Sequence, residues 1–383
     1  MELIKNLPEV FEQFAEQRKH SFLAVRELKE KGTPIVGVFC TYLPQEMVLA
    51  AGAVPVGLCS MSDETIGEAE RVLPRNLCPL IKSSYGFAAT DKCPFFYFSD
   101  LIIGETTCDG KKKMYEYLGK IKPVFVMELP NSQSESGMKL WKEEMLHLKE
   151  VLEEKLEVEI TEEKIREAIR IKNEERAALK ELSYLMSANP APMLGQDMFK
   201  VLYGASYKFD KEQSIAELRA VTARIKQEYS EGKMLTKRPR ILVTGSPMGG
   251  AAEKVIRAIE ANGAVVVCFE SCSGMKAIDT NVDESNPDVY EAMAEKYLSI
   301  GCSCMSPNSN RFELLGRLID EFKVDAVVDM VLQACHTYNV ETYGVKQFVN
   351  QEKEIPYMSL ETDYSQSDLG QLNTRMAAFI EML

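Results

Sequence analysis

Along this chain, short continuous apolar runs alternate with stretches in which apolar residues recur at helical spacing among charges. Residues 8–31 are of the second kind: Val10, Phe11, Phe14, Phe22, Leu23, Val25 and Leu28 recur at helical spacing among charges and predict an amphipathic helix. Residues 34–40 (PIVGVFC) are of the first kind, as are 54–59, 99–104 and 122–128, and each predicts a strand buried on both faces. Between them Pro44 opens and Gly52 closes one helix, Pro79 opens another behind Cys78, and a third carries Met114, Tyr115 and Leu118. From residue 137 to 231 the pattern turns to long, charge-rich helices, whose charges predict a solvated face and whose position predicts a connector or lid. Runs at 240–245, 265–270, 324–329 and 355–361 then supply a second set of strands, and a helix over 372–383 closes the chain.

Strands alternating with helices imply parallel sheets covered on both faces. The fold class is therefore α/β, with two doubly wound (flavodoxin- or Rossmann-like) parallel-sheet domains. The first spans 1–135 and includes the N-terminal helix, a helical insert spans 136–235, and the second sheet domain spans 236–383. The two sheets form an internal structural repeat.

Composition narrows the function. A net charge of −13 argues against a general nucleic-acid or anionic-membrane surface, which would need clustered Lys and Arg. The opening residues MELIKNLP lack a basic region followed by an apolar core, so no signal peptide is expected. No apolar run approaches the length of a membrane span. A cytoplasmic protein is expected, where thiols stay reduced, and its ten cysteines then need an account.

Six of them form two groups of three. Cys40, Cys78 and Cys108 lie in the first third of the chain, and Cys272, Cys302 and Cys335 in the last. Each stands just past an apolar run or at the mouth of a helix, where ligands gather in a doubly wound sheet, so that all six could line one cleft. They lack the local C-x₂-C pairs of structural zinc, and thiolate-only ligation from distant loops suits iron–sulfur clusters. Either member of Cys302-Ser303-Cys304 could be the ligand; the equal gaps of 30 residues (78 to 108, 272 to 302) tip the choice to Cys302. Cys59, Cys93 and Cys268 sit in or beside apolar runs and read as packing residues.

Several stretches carry a resemblance: residues 73–78 (LPRNLC), 105–112 (ETTCDGKK), 269–274 (FESCSG), 302–305 (CSCM), 332–338 (LQACHTY) and 355–364 (IPYMSLETDY). They resemble the 2-hydroxyacyl-CoA dehydratase and benzoyl-CoA reductase superfamily, over nearly the whole chain and in the same order, and within it the double-cubane cluster proteins most. In the dehydratase subunits the resemblance implies one [4Fe-4S] cluster, on ligands matching Cys78, Cys108 and Cys335. In the double-cubane branch it implies an [8Fe-9S] cluster, two cubanes joined by a sulfide, for which Cys40, Cys272 and Cys302 are the three extra candidates. It also implies a separate partner, a homodimeric ATP-hydrolysing [4Fe-4S] activator that injects low-potential electrons.

Other groups are weaker signals. His336, beside Cys335, is the histidine placed for proton transfer. Glu46, Glu270 and Glu361 stand beyond strand ends and could relay protons, and Arg75, Lys111 and Lys276 could offset a cluster's negative charge. The loop 245–250 (GSPMGG) lacks both the G-x-G-x-x-G pattern and a P-loop lysine, and reads as a tight strand-to-helix turn. The leading expectation is an ATP-dependent, low-potential reductase component, a homodimer acting on a small unsaturated substrate. A [4Fe-4S] dehydratase subunit is the alternative, and a metal-free α/β binding module the second alternative.

Overall fold

A computed structural model describes residues 6–247 and 249–383, so Met248 of the loop 245–250 and the first five residues fall outside the described ones. Among the described residues, eight strands form two separate four-stranded sheets, and every pairing in both is parallel. The first sheet contains β1 (Ile35–Val38), β2 (Val54–Gly57), β3 (Leu101–Glu105) and β4 (Val124–Met127) in the order β2-β1-β3-β4. The second contains β5 (Arg240–Gly245), β6 (Val265–Glu270), β7 (Ala326–Leu332) and β8 (Tyr357–Thr362) in the order β6-β5-β7-β8. Each of the eight falls on a run read as a strand. The internal strands β1, β3, β5 and β7 are buried along their whole length, which is why their sequences are continuous rather than alternating.

The shared strand order decides where chemistry can sit. In both sheets the chain leaves the first strand towards one edge and returns to lay the third strand on its other side. The loops leaving these two central strands therefore diverge, opening a crevice at their carboxyl ends. In the first sheet that point lies between β1 and β3, where Val38 is level with Ile103, and Cys40 and Glu105 each follow two residues later in sequence. In the second it lies between β5 and β7. Gly245 ends β5 at φ +106°, where an added Cβ would stand 2.2 Å from the Met330 carbonyl oxygen, so only glycine lets the chain turn there.

The compact units do not follow the cuts drawn at 135 and 235. One comprises Arg18–Arg176 and Thr280–Asn310 and holds the first sheet; the other comprises residues up to Gln17, Ala177–Asp279 and Arg311–Leu383 and holds the second. The charge-rich helices form as expected, but they divide between the two units. The Glu135–Leu156 helix buries Trp141, Met145, Leu148 and Leu152 and packs on the Val289–Leu298 helix of its own unit. The Gly195–Ala205 helix lies against β6, and a Cβ on Gly195 would stand 2.4 Å from the Val266 carbonyl oxygen. Charge marked their outer faces, while their apolar stripes determine where they pack.

Candidate metal centre

In the first-sheet unit the cysteines stand where chain direction changes. Cys40 lies two residues past β1. Cys108 directly precedes the Asp109–Leu118 helix, and Cys78 precedes the Pro79–Ala89 helix, whose first position is Pro79. Cys78 and Cys108 are therefore cap residues at helix N-termini, where backbone N–H groups and the helix dipole favour an anion such as a thiolate.

Cys302 and Cys304 belong to this same unit, a correction to the reading that set Cys302 on the second sheet. Two side chains hold their segment in place. The buried Tyr42 hydroxyl donates to the Ile300 carbonyl (2.7 Å), and Gln133 Nε2 donates to the Leu298 carbonyl (2.8 Å). Cys40, Cys302 and Cys304 all face Tyr42, whose hydroxyl is kept protonated first by burial and then by these three thiols. The Cys304 thiol is pushed up in turn, by its hydrogen bond with Cys302 and then by burial. The two cysteines therefore stand together at one place.

Behind Cys40 lies a second buried group. Glu105 ends β3 with no exposed surface, and neither of its carboxyl oxygens has a hydrogen-bond partner among the described residues. Burial pushes its pKa up to about 7 against the opposing pull of Lys111. Lys111 is itself buried, and Tyr115, Cys59, Cys40 and Glu105 together outweigh the effect of burial and keep it charged. Tyr115 lies against the strand because Gly104 has no Cβ, which would stand 2.3 Å from the tyrosine ring, and its hydroxyl also has no hydrogen-bond partner among the described residues.

A carboxyl held above its unfolded pKa favours the folded state in its protonated form. This contribution is complete below pH ~4.5 and is lost as pH rises through about 7. At ~1.4 kcal/mol per pKa unit it amounts to roughly 3 kcal/mol, so Glu105→Gln should remove a fall in stability of that size between pH ~4.5 and ~7.5. Urea denaturation midpoints across that range test it, and an unchanged pH slope counts against the assignment.

Glu46, expected to relay protons, is placed differently. Its Oε1 accepts from Arg176 Nη1 (2.8 Å) and its Oε2 from Tyr297 (2.7 Å), with both carboxylate and guanidinium buried. Burial would raise its pKa, but Arg176 and Lys172 more than reverse this and hold the carboxyl ionised. In this arrangement Glu46 is a brace.

In the second-sheet unit, Cys272 lies two residues past β6, and Cys335 directly precedes the His336–Gln347 helix, three residues past β7. Ser246 Oγ accepts from the Leu332 N–H (2.9 Å) and ties together the two loops that leave the central strands. Around these strand ends runs a buried ionic network. Glu270 pairs with Lys276 (3.1 Å) and Arg311 (3.5 Å), Arg311 also reaches Glu341 and Thr244, and the Lys276 ammonium donates to the Tyr338 hydroxyl (3.0 Å). The Arg311 guanidinium and the Lys276 ammonium both lie over the Tyr338 ring, at 5.0 and 5.3 Å.

The remaining candidates fall into place. His336 and Glu361 are exposed, and the Arg75 side chain is 90% exposed, whereas Lys111 and Lys276 are buried. The Cys59 thiol donates to the Phe39 carbonyl (2.9 Å), Cys93 caps the Pro94–Phe98 helix, and Cys268 lies inside β6. Among the described residues, no three His, Cys, Asp or Glu side chains converge on a single-ion site. An iron–sulfur cluster requires something else, since each thiolate binds a different iron and the thiols must ring a volume. Soft donors at helix mouths and strand ends, with buried cations nearby, fit such a group. Sequence reading missed Tyr42, Glu105 and Arg311. Glu105 alone left a signal, an acid ending an apolar run directly ahead of Thr106-Thr107-Cys108.

Residues 40–383 match the family described as 2-hydroxyglutaryl-CoA dehydratase, D-component. Over 384 residues, covering all of both chains, the sequence is 58% identical to the Escherichia coli (strain K12) protein named "Putative dehydratase subunit YjiM". It is 24% identical to the (R)-phenyllactyl-CoA dehydratase beta subunit of Clostridium sporogenes, with 94% of each chain covered. It is 19% identical to one of the subunits of benzoyl-CoA reductase from Thauera aromatica, again with 94% of each covered.

Proposed function

The chain belongs to the 2-hydroxyglutaryl-CoA dehydratase D-component family, within the 2-hydroxyacyl-CoA dehydratase and benzoyl-CoA reductase superfamily, and from that membership we propose that it is an ATP-dependent, low-potential reductase component. Its ligand set for a double-cubane [8Fe-9S] cluster is Cys40, Cys78, Cys108, Cys272, Cys302 and Cys335, with Cys304 able to stand in for Cys302. The observation that carries this reading is the gathering of Cys40 with Cys302 and Cys304 around Tyr42, which supplies thiols beyond the three a single cluster would use. When bound, the group would store electrons and deliver them at low potential to a small unsaturated substrate.

The chain's own residues do the rest. Helix N-termini behind Cys78, Cys108 and Cys335 offset thiolate charge. Tyr42 and Gln133 fix the segment bearing Cys302 and Cys304. The electron donor is a separate homodimeric [4Fe-4S] ATPase activator, and the chain itself works as a homodimer. The relatives' names as subunits of dehydratases and a reductase support an enzyme that works with other chains. They also favour the second reading, a dehydratase-type subunit with one [4Fe-4S] cluster on Cys78, Cys108 and Cys335.

Iron and acid-labile sulfide measured per chain after anaerobic purification separate the two. About eight irons are expected for the first reading and about four for the second. Cys40→Ser and Cys272→Ser should each halve the iron only under the first. A colourless, iron-free protein sinks both.

A further inference from the structure

We infer that Glu105, with Lys111 and Tyr115, forms a proton-holding site behind the carboxyl ends of β1 and β3, which takes up a proton from solvent and releases it towards the cysteine-lined edge. Three facts of placement carry this. Glu105 is fully buried and neither carboxyl oxygen has a hydrogen-bond partner among the described residues, although buried polar groups are nearly always satisfied. The Tyr115 hydroxyl is buried in the same way, on a ring that Gly104 admits against the same strand. The Lys111 ammonium, one turn before Tyr115 on the Asp109–Leu118 helix, lies 5.8 Å from the Phe39 ring centroid, directly ahead of Cys40 in sequence. A purely structural core would fill this volume with apolar side chains or pair these groups with one another. Here an acid, a cation and a hydroxyl share a buried volume beside the crevice, in the arrangement a proton carrier needs.

The groups facing Glu105 come from each element around it. Lys111 and Tyr115 come from the helix and Cys59 from the loop after β2, with Cys40 after β1 acting on both Lys111 and Tyr115. The backbone N–H groups of Leu43 and of Glu105 itself, neither in hydrogen-bonding geometry with the carboxyl, still favour its charged form, less than burial opposes it. Near neutral pH the two protonation states are thus of similar energy, and Lys111 compensates the carboxylate when the proton leaves.

The balance is simple. Reduction of one double bond consumes two electrons and two protons. Both electrons come from the low-potential iron–sulfur donor named above; the Glu105 O–H bond breaks to supply the first proton, solvent reprotonates the carboxylate, and the same O–H bond breaks again to supply the second. The use of the proton rests on the proposed reductase reading; the existence of the site does not.

Infrared difference spectroscopy on the full chain, purified anaerobically, reads the site without turnover. A protonated carboxyl band is expected at pH ~6, shifted in D₂O, lost by pH ~8.5 and missing from Glu105→Gln. Lys111→Met should move its midpoint upward, because removing the cation disfavours the carboxylate. Glu105→Asp, should the Gln variant not fold, must retain a titrating band with an altered midpoint. The inference is overturned if wild type and Glu105→Gln show the same carboxyl bands at pH ~6, or if the band persists unchanged above pH ~9. Iron analysis of the same samples keeps the two readings apart. An iron-free chain that still shows the band upholds the proton site and removes the reductase reading, and an iron-loaded chain without it does the reverse.

Discussion

Arg176→Met is expected to lower stability by about 3–5 kcal/mol, the range for removing one partner of a buried ion pair. Glu46 is fully enclosed, and its Oε1 depends on Arg176, whose Nη2 also donates to Asn173 Oδ1 (2.6 Å). Without the guanidinium, Glu46 must either stay charged in a desolvated place or bind a proton at neutral pH, and both are costly. The pH behaviour should follow. In the wild type the Glu46 pKa lies below its unfolded value, so its contribution is present above pH ~4.5 and is lost as pH falls through the folded value. In the variant that acid-side loss should vanish. The double variant Arg176→Met with Glu46→Gln should recover much of the deficit, because a neutral amide can still accept from Tyr297. Urea midpoints measure all three. A single-variant loss under about 1 kcal/mol would mean the pair is solvated and the assignment wrong.

Arg311→Met should cost a similar 3–5 kcal/mol, in the other unit. Arg311 has 1% of its side chain exposed, yet it faces Glu270, Glu341, Thr244 and the Tyr338 ring at once. Lys276 would remain to neutralise Glu270, but Glu341 would lose the buried end of its pair. Arg311→Lys should recover only part, since one ammonium cannot reproduce a guanidinium fork that bridges two carboxylates and lies flat on a ring. A chain in which Lys replaces Arg without measurable loss would show that charge alone matters there. The network ties the Glu270 end of β6 to the helix that follows Cys335, so Arg311→Met should also loosen both Cys272 and Cys335. Faster amide exchange at 271–274 and 335–339 than in Arg311→Lys would report this.

The strands were legible because burial on both faces writes itself as continuous apolar residues. Residues 34–40, 99–104 and 265–270 needed nothing more than that. The helices behind Cys78 and Cys108 were legible from Pro79 and from the apolar spacing of Met114, Tyr115 and Leu118. What did not show was attachment across long sequence separations. Nothing local in residues 280–310 states which sheet they join; that depends on the Tyr42 hydroxyl and the Gln133 amide reaching the carbonyls of Ile300 and Leu298. The equal cysteine gaps suggested symmetry, yet Cys302 lies in the unit of Cys40, Cys78 and Cys108. Acids were harder still. Glu46 and Glu105 both follow apolar runs, and only packing separates one that Arg176 holds ionised from one that burial holds near neutrality.

The bond from Tyr42 to Ile300 joins residues 258 apart, within a unit whose two pieces are separated by Ala177–Asp279. During synthesis that intervening stretch (279 − 176 = 103 residues) must leave the ribosome before Thr280 can follow. At ~5–20 residues per second the first piece waits roughly 5–20 s for its second. Through that interval Cys40, Cys78 and Cys108 are already out of the tunnel, on a nascent chain that still lacks Cys302 and Cys304. Closure of this unit therefore waits on translation, and Cys302 and Cys304 join Cys40, Cys78 and Cys108 only after that interval.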